Sequence, residues 1–173
     1  PYSPAAGTGL SSHELNQPGC YRDVKDTTCI AQFYLENPLE QLKGWGDAVV
    51  LAWTTTPWTL PSNTALAVGP AIDYVAVRTY NPYSGKPITA VVAKALAGSV
   101  FNPKGENLPL EDYQKGDKVI PWQVVAEMKG TDLVGMTYKQ LIPWVNPGEG
   151  AFRVIPGDYV TVEDGTGIVH IAP

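Results

Sequence analysis

Trp53-Thr54-Thr55-Thr56-Pro57-Trp58-Thr59-Leu60-Pro61-Ser62-Asn63 crowds hydroxyls and one amide into a short stretch. Side chains alternate faces along an extended chain, so Thr54 and Thr56 are expected on one side and Thr55 on the other. Pro57 supports this, because a residue before proline is pushed towards extended geometry. Two hydroxyls on one face, at the end of a buried strand, can donate and accept hydrogen bonds towards a bound ester or a water. Thr59 and Asn63 add polar groups in the turn that follows. The plainer reading is that threonine simply suits strands and that Pro-Trp marks a turn.

A second candidate lies far away in Gly165-Thr166-Gly167-Ile168-Val169-His170-Ile171-Ala172-Pro173. Alternation groups His170 with Ile168 and Ala172, and a lone histidine among apolar residues is more often a core or rim residue than a catalyst. The Gly-Thr-Gly triplet would let backbone approach a ligand closely, or would merely make a hairpin turn. A second such triplet at 7–9 reads as coincidence plus turn chemistry. Neither segment proves a site by itself.

Other chemistries leave no trace. There is no Gly-x-Ser-x-Gly elbow, phosphate loop or His-Glu-x-x-His helix. Cys20 and Cys29 lack the close spacing of a zinc or redox site, so no metal is expected and both read as free thiols of a reducing compartment. Asp23, Asp26, Glu111, Asp112, Glu163 and Asp164 occur in polar surroundings, where solvated charge is the default.

The elements that must position these groups read mainly as strands. The chain holds 17 glycines and 16 prolines, residues that break helices and favour short strands joined by turns. Strands are expected over 28–35, over Ala48-Val49-Val50-Leu51-Ala52, a run apolar enough to be buried on both faces, and over 73–80, where Val75, Val77 and Thr79 share a side. The turn at 81–86 leads into a partner strand over 88–92, giving a hairpin. A helix is expected over 93–100 and a loop over 102–118. Further strands are expected over 119–129, 159–163 and 168–172. The fold class that follows is mainly β: a mostly antiparallel β-barrel with one or two short helices.

At 173 residues the chain can bury one real core. No apolar run reaches membrane-spanning length, and no signal peptide opens it. Residues 1–22 read as a polar arm or junction, and 23–173 as the barrel. Pro1 and Pro173 look like cut ends, so a domain of a longer polypeptide is expected. The net charge of −5, with Lys and Arg scattered singly, argues against an independent nucleic-acid binder.

Together the two chemistry-bearing segments resemble the threonine-rich strand and the Gly-Thr-Gly…His-x-x-Pro strand of the editing insertion (CP1) of isoleucyl-tRNA synthetases, class I enzymes. Lys129-Gly130-Thr131-Asp132-Leu133-Val134-Gly135-Met136-Thr137-Tyr138 is similar to the connecting region of that insertion, and all three lie in the expected order. The likeness runs from about residue 20 to the end; Pro1-Tyr2-Ser3-Pro4 also resembles the insertion's first strand. Valyl and leucyl relatives usually carry Arg-Pro-Glu/Asp where this chain has Thr56-Pro57-Trp58, and another residue at the position of His170.

That resemblance implies hydrolysis of valine mischarged onto isoleucine tRNA, after transfer and in some measure before it. Thr54, Thr56 and His170 become the candidate catalytic residues: the two threonines line the pocket for the amino acid and the attacking water, and His170 limits the aliphatic side chain that fits. Thr55, Thr59, Asn63 and Trp53 become substrate-binding, shaping the pocket and holding the terminal adenosine. The implied partners are the 3′-terminal aminoacyl-adenosine of isoleucine tRNA and the rest of the parent synthetase, whose ATP site lies elsewhere. No cofactor is implied for this domain. A cytoplasmic monomer with no membrane contact is expected. The family's ammonium-gripping aspartate lies just past His-x-x-Pro, beyond Pro173, so this fragment alone is expected to be a weak hydrolase. Two rivals stay open: an inactive structural insertion, and a ligand-binding β-barrel module that would use the tryptophans and tyrosines.

Overall fold

Ala48 to Ala52 is buried on both faces because it forms the middle of a strand between two apolar layers. A computed structural model describes residues 1–173. In chain order its elements are β1 (Tyr2–Ser3), β2 (Thr8–Gly9), α1 (Ser12–Leu15), β3 (Cys29–Tyr34), β4 (Asp47–Thr54), β5 (Ala65–Val68) and β6 (Asp73–Tyr80). Then follow β7 (Pro87–Ala93), α2 (Ala97–Val100), β8 (Gln123–Lys129), α3 (Gly130–Leu133), β9 (Arg153–Pro156) and β10 (Ile168–Ile171).

The strands form a sheet of order β3-β4-β7-β6-β8, a smaller one of order β10-β5-β9, and the separate ribbon β1-β2. Most pairings are antiparallel, but β4 runs parallel to β7 and β5 parallel to β9. No sheet closes on itself, so the architecture is mainly β without being the expected barrel. β9 ends on Pro156 and β7 begins on Pro87.

One face of the large sheet, carrying Phe33, Val50, Ala52, Tyr74, Ala76 and Val91, packs with Leu66, Val68, Val154 and Ile168 of the small sheet to make the main core. The opposite face carries Val49, Leu51, Val75, Val77, Ala90 and Val92, covered by Ala97 and Trp122. Strand alternation splits Val49 and Leu51 from Ala48, Val50 and Ala52. Val75 and Val77 share the second face as expected, and the buried Thr79 hydroxyl donates to Pro121 O (2.9 Å).

Several sequence expectations need correction. The helix over 93–100 is two short pieces, a 3-10 turn at Lys94–Leu96 and α2, because Ala93 is still extended in β7 and its N–H donates to Thr166 O (2.9 Å). β8 starts at Gln123, since Pro121 and Trp122 turn aside and the indole Nε1 donates to Asn102 O (2.8 Å). A bulge sets Ala76 opposite Ala126 and Val77 opposite Val124, skipping Val125. Residues 159–163 form no strand; β5 and β9 are the strands that sequence reading missed. The arm carries the β1-β2 ribbon and α1, whose Ser11 and Glu14 form a reciprocal cap. No helix is long and apolar enough to cross a membrane.

Candidate active site

β4 ends at Thr54, so strand alternation does not carry on through Thr55 and Thr56. The two hydroxyls meet by a different device. The Thr56 N–H donates to Thr54 Oγ1 (3.0 Å), a local side-chain–backbone bond that folds the chain back. Oγ1 of Thr54 and Oγ1 of Thr56 then lie 3.3 Å apart. A 3-10 turn over Pro57–Ser62 follows, its proline preset for the first position. The turn brings the Thr59 hydroxyl onto Thr56 O (2.8 Å), with Thr56 Oγ1 at 3.5 Å.

The second wall comes from β10 and the turn before it. β10 pairs with β5, placing His170 opposite Leu66. The Gly165-Thr166-Gly167 turn is pressed against the end of β4 and β7. Gly165 (φ +71°) lies on the Trp53 indole, where an added Cβ would sit 3.0 Å from Cε3, and Gly167 (φ +70°) would put a Cβ 2.3 Å from that of Ala93. Both positions thus need glycine for conformation and for room. Thr166 is buried: Trp53 N–H donates to its Oγ1 (3.3 Å), and that hydroxyl donates to Ile168 O (3.4 Å).

Between these walls is an open cavity of about 480 Å³ lined by Trp53, Thr54, Thr55, Thr56, Thr59 and His170, with Tyr159, Thr161 and Asp164 at its rim. Thr54 is 7% exposed and lines the cavity, whereas Thr55 and Thr56 are exposed. Nε2 of His170 is 2.8 Å from Thr59 Oγ1.

Asn63 is the candidate that does not line the cavity. It is 3% exposed and sits behind His170. Its Nδ2 donates to Ala65 O (2.9 Å) and faces His170 Nδ1 (3.3 Å) and Ile171 O (3.4 Å). Its Oδ1 accepts from the Tyr138 hydroxyl at 2.6 Å. An amide so engaged holds the site from below rather than touching an adenosine. Both ring nitrogens of His170 face protein groups, Thr59 Oγ1 at Nε2 and Asn63 Nδ2 at Nδ1, and the ring lines the cavity. Burial lowers its pKa from 6.5, keeping the ring neutral. Burial likewise raises the Tyr138 phenol well above its usual range, so it stays a donor.

No protein-family model matches the chain. The isoleucine–tRNA ligase of Bacteroides fragilis is 74% identical over 173 residues, covering all of this chain and 15% of that protein. That of Porphyromonas gingivalis is 67% identical over 175 residues, again all of this chain and 15% of the relative. The Clostridium acetobutylicum ligase is 44% identical over 173 residues and 14% of its length. The whole of this chain matches a segment of isoleucine–tRNA ligases. It spans about 15% of the length of these ligases.

Among solved structures, a crystal structure of GlLeuRS-CP1 matches with a TM-score of 0.56 and 20% identity over 83% of this chain and 54% of that one. The Plasmodium knowlesi cytosolic leucyl-tRNA synthetase editing domain matches with a TM-score of 0.56 and 12% identity, over 83% and 57% of the two chains. The fold is therefore the one seen in editing domains of leucyl-tRNA synthetases, here in a chain similar to a segment of isoleucine–tRNA ligases.

Within that segment, sequence reading passed over Tyr138, Tyr159 and Asp164. Tyr138 lies in the stretch that resembled a connecting region, but nothing in its spacing announces a bond to Asn63. Asp164 belongs to an acidic pair that reads as solvated charge until the Gly165 turn brings it to the rim.

Proposed function

We propose that this cavity hydrolyses the ester of valine wrongly attached to isoleucine tRNA, as the editing site of an isoleucine–tRNA ligase. The observation that carries the reading is the hydroxyl cluster of Thr54, Thr56 and Thr59 set against His170 in one cavity. One methylene in an apolar pocket is worth roughly 1–3 kcal/mol, a figure for which isoleucine–tRNA ligases are themselves the standard worked case. A synthetic site alone therefore admits valine too often, and a second site that excludes isoleucine by size multiplies the selectivity.

An aminoacyl ester is already activated, so the site need only orient a water and stabilise the oxyanion that forms as the water adds to the carbonyl carbon. Thr54 and Thr56 supply hydrogen-bonding hydroxyls for that water and oxyanion. The tetrahedral intermediate collapses by breaking the bond to the ribose oxygen, which leaves with the proton given up by the attacking water. Thr55 and Trp53 shape the opening, and His170 blocks the longer side chain. The net charge of −5 fits a domain that receives only the 3′-terminal aminoacyl-adenosine while the rest of the parent ligase, a cytoplasmic enzyme in this reading, holds the tRNA. No resident cofactor takes part.

The test is deacylation of valine-charged isoleucine tRNA by the ligase carrying Thr54→Val and Thr56→Val together. Valine clearance should fall by roughly a hundred-fold or more, the scale of losing oxyanion donors, while isoleucine charging stays near normal. Undiminished clearance would sink the assignment. An inactive insertion would show no clearance before substitution either.

A further inference from the structure

We propose that Asn63 is a positioning residue which fixes the His170 tautomer and, through it, the direction of the hydroxyl hydrogen bonds in the cavity. This rests on the proposed ester hydrolysis only for its consequence; the tautomer follows from the geometry alone.

The phenol of Tyr138, 1% exposed, has Asn63 Oδ1 as its partner at 2.6 Å. The other end of the amide lies against the carbonyls of Ala65 and Ile171, which only an N–H can satisfy. The amide orientation is thus fixed from both ends. Ile171 O already accepts the Thr64 N–H at 2.9 Å, so the second Nδ2 hydrogen is free to turn to His170 Nδ1 at 3.3 Å. Nδ1 meets no acceptor there. It must accept, and the ring's proton must sit on Nε2.

Nε2–H then donates to Thr59 Oγ1 (2.8 Å), and the Thr59 hydrogen goes on to Thr56 O (2.8 Å). The opposite tautomer would set Nδ1–H against the amide N–H, and Nε2 would take the Thr59 hydrogen from Thr56 O. In the tautomer that Asn63 selects, every group has a partner. Thr54 Oγ1 already accepts the Thr56 N–H and can donate its own hydrogen to Thr56 Oγ1 at 3.3 Å. The Thr56 hydroxyl hydrogen then has Thr59 Oγ1, at 3.5 Å, as its protein partner and can turn instead to a ligand. The cavity can thereby offer a donor to an ester oxyanion. Asn63 acts entirely through His170 and Thr59.

The experiment is a long-range proton–nitrogen spectrum of the chain labelled at its two histidines, with a His13→Ala variant assigning the ring signals. Wild type should show His170 with Nε2 protonated and Nδ1 bare. Asn63→Asp, which offers an acceptor in place of the N–H, should move the proton to Nδ1 or give the imidazolium. A folded Asn63→Asp protein whose Nδ1 stays bare would overturn the proposal. Thr59→Val, at a part-exposed position, decides the matter if Asn63→Asp fails to fold. The Nε2–H form should persist, because Asn63 holds it from the other side, and a mixture of tautomers would overturn the proposal. In a hydrolysis assay, Asn63→Asp should lower kcat by roughly tenfold or more with KM within about threefold. Wild type that fails to hydrolyse the valyl ester defeats the functional reading while the spectrum still decides the tautomer.

Discussion

Nε2 of His170 lies 2.8 Å from Oγ1 of Thr59, although 111 positions of chain separate the two residues. The contact joins the small sheet, which carries His170 on β10, to the turn that leaves the large sheet at Thr54. Each partner depends on its own device, the 3-10 turn at Pro57–Ser62 for Thr59 and the β10–β5 pairing for His170. A change to either wall therefore alters the cavity they share.

If His170 is a size-limiting wall, His170→Ala should enlarge the cavity enough to admit isoleucine. Correctly charged isoleucine tRNA, protected by the unaltered ligase, should then be deacylated at a measurable rate. Release of labelled isoleucine from charged tRNA checks this. Continued protection of isoleucine would make His170 a rim residue with no part in selection.

Tyr159 is 61% exposed at the cavity rim. As a platform for the terminal adenine, its ring would contribute roughly 1–3 kcal/mol by stacking. Tyr159→Ala should then raise KM for mischarged tRNA by about tenfold and leave kcat nearly unchanged. A fall in kcat at constant KM would contradict a binding role.

Gly167 has φ +70°, and a Cβ there would meet Ala93 Cβ at 2.3 Å. Gly167→Ala should cost about 2–4 kcal/mol, combining left-handed backbone with overpacking. Gly98 lies in α2 with nothing within 4 Å of an added Cβ, so Gly98→Ala should be neutral or stabilise by up to about 1 kcal/mol. Denaturant midpoints of the two variants compare them directly. Equal effects would refute the close-approach argument.

Desolvation holds the folded His170 pKa below 6.5. As pH falls through 6.5 the unfolded chain takes up the proton first, so the unfolded state binds more protons and stability declines. The contribution is complete above 6.5 and is lost as pH falls through the depressed folded value. Unfolding midpoints followed from neutral to mildly acid pH should show this slope, and His170→Gln should flatten it. An unchanged slope in the variant would place the titration elsewhere.

Much of the large sheet was readable in advance because its pattern is local. The apolar run at 48–52 and the alternation at 73–80 declare strands and faces by period alone. In the small sheet only β10 was, since β5 spans only Ala65–Val68 and β9 only Arg153–Pro156. Segments that short become strands only when β10 and each other are near. The candidate threonines were legible by type, yet for an incomplete reason: a turn at Thr56, not strand alternation, brings the hydroxyls together. Tyr138 was invisible because its role is a single bond to Asn63 across the core.

The order of elements along the chain also sets when the cavity can exist during synthesis. Every strand of the large sheet lies between Cys29 and Lys129, so that sheet can fold while the ribosome is still adding residues. His170 and the turn before it come last, on a strand whose partner β5 has been waiting since Val68. A nascent chain thus carries its threonines well before the second wall of the cavity is made. The cavity itself should form in one step, when β10 emerges and docks, rather than growing with chain length.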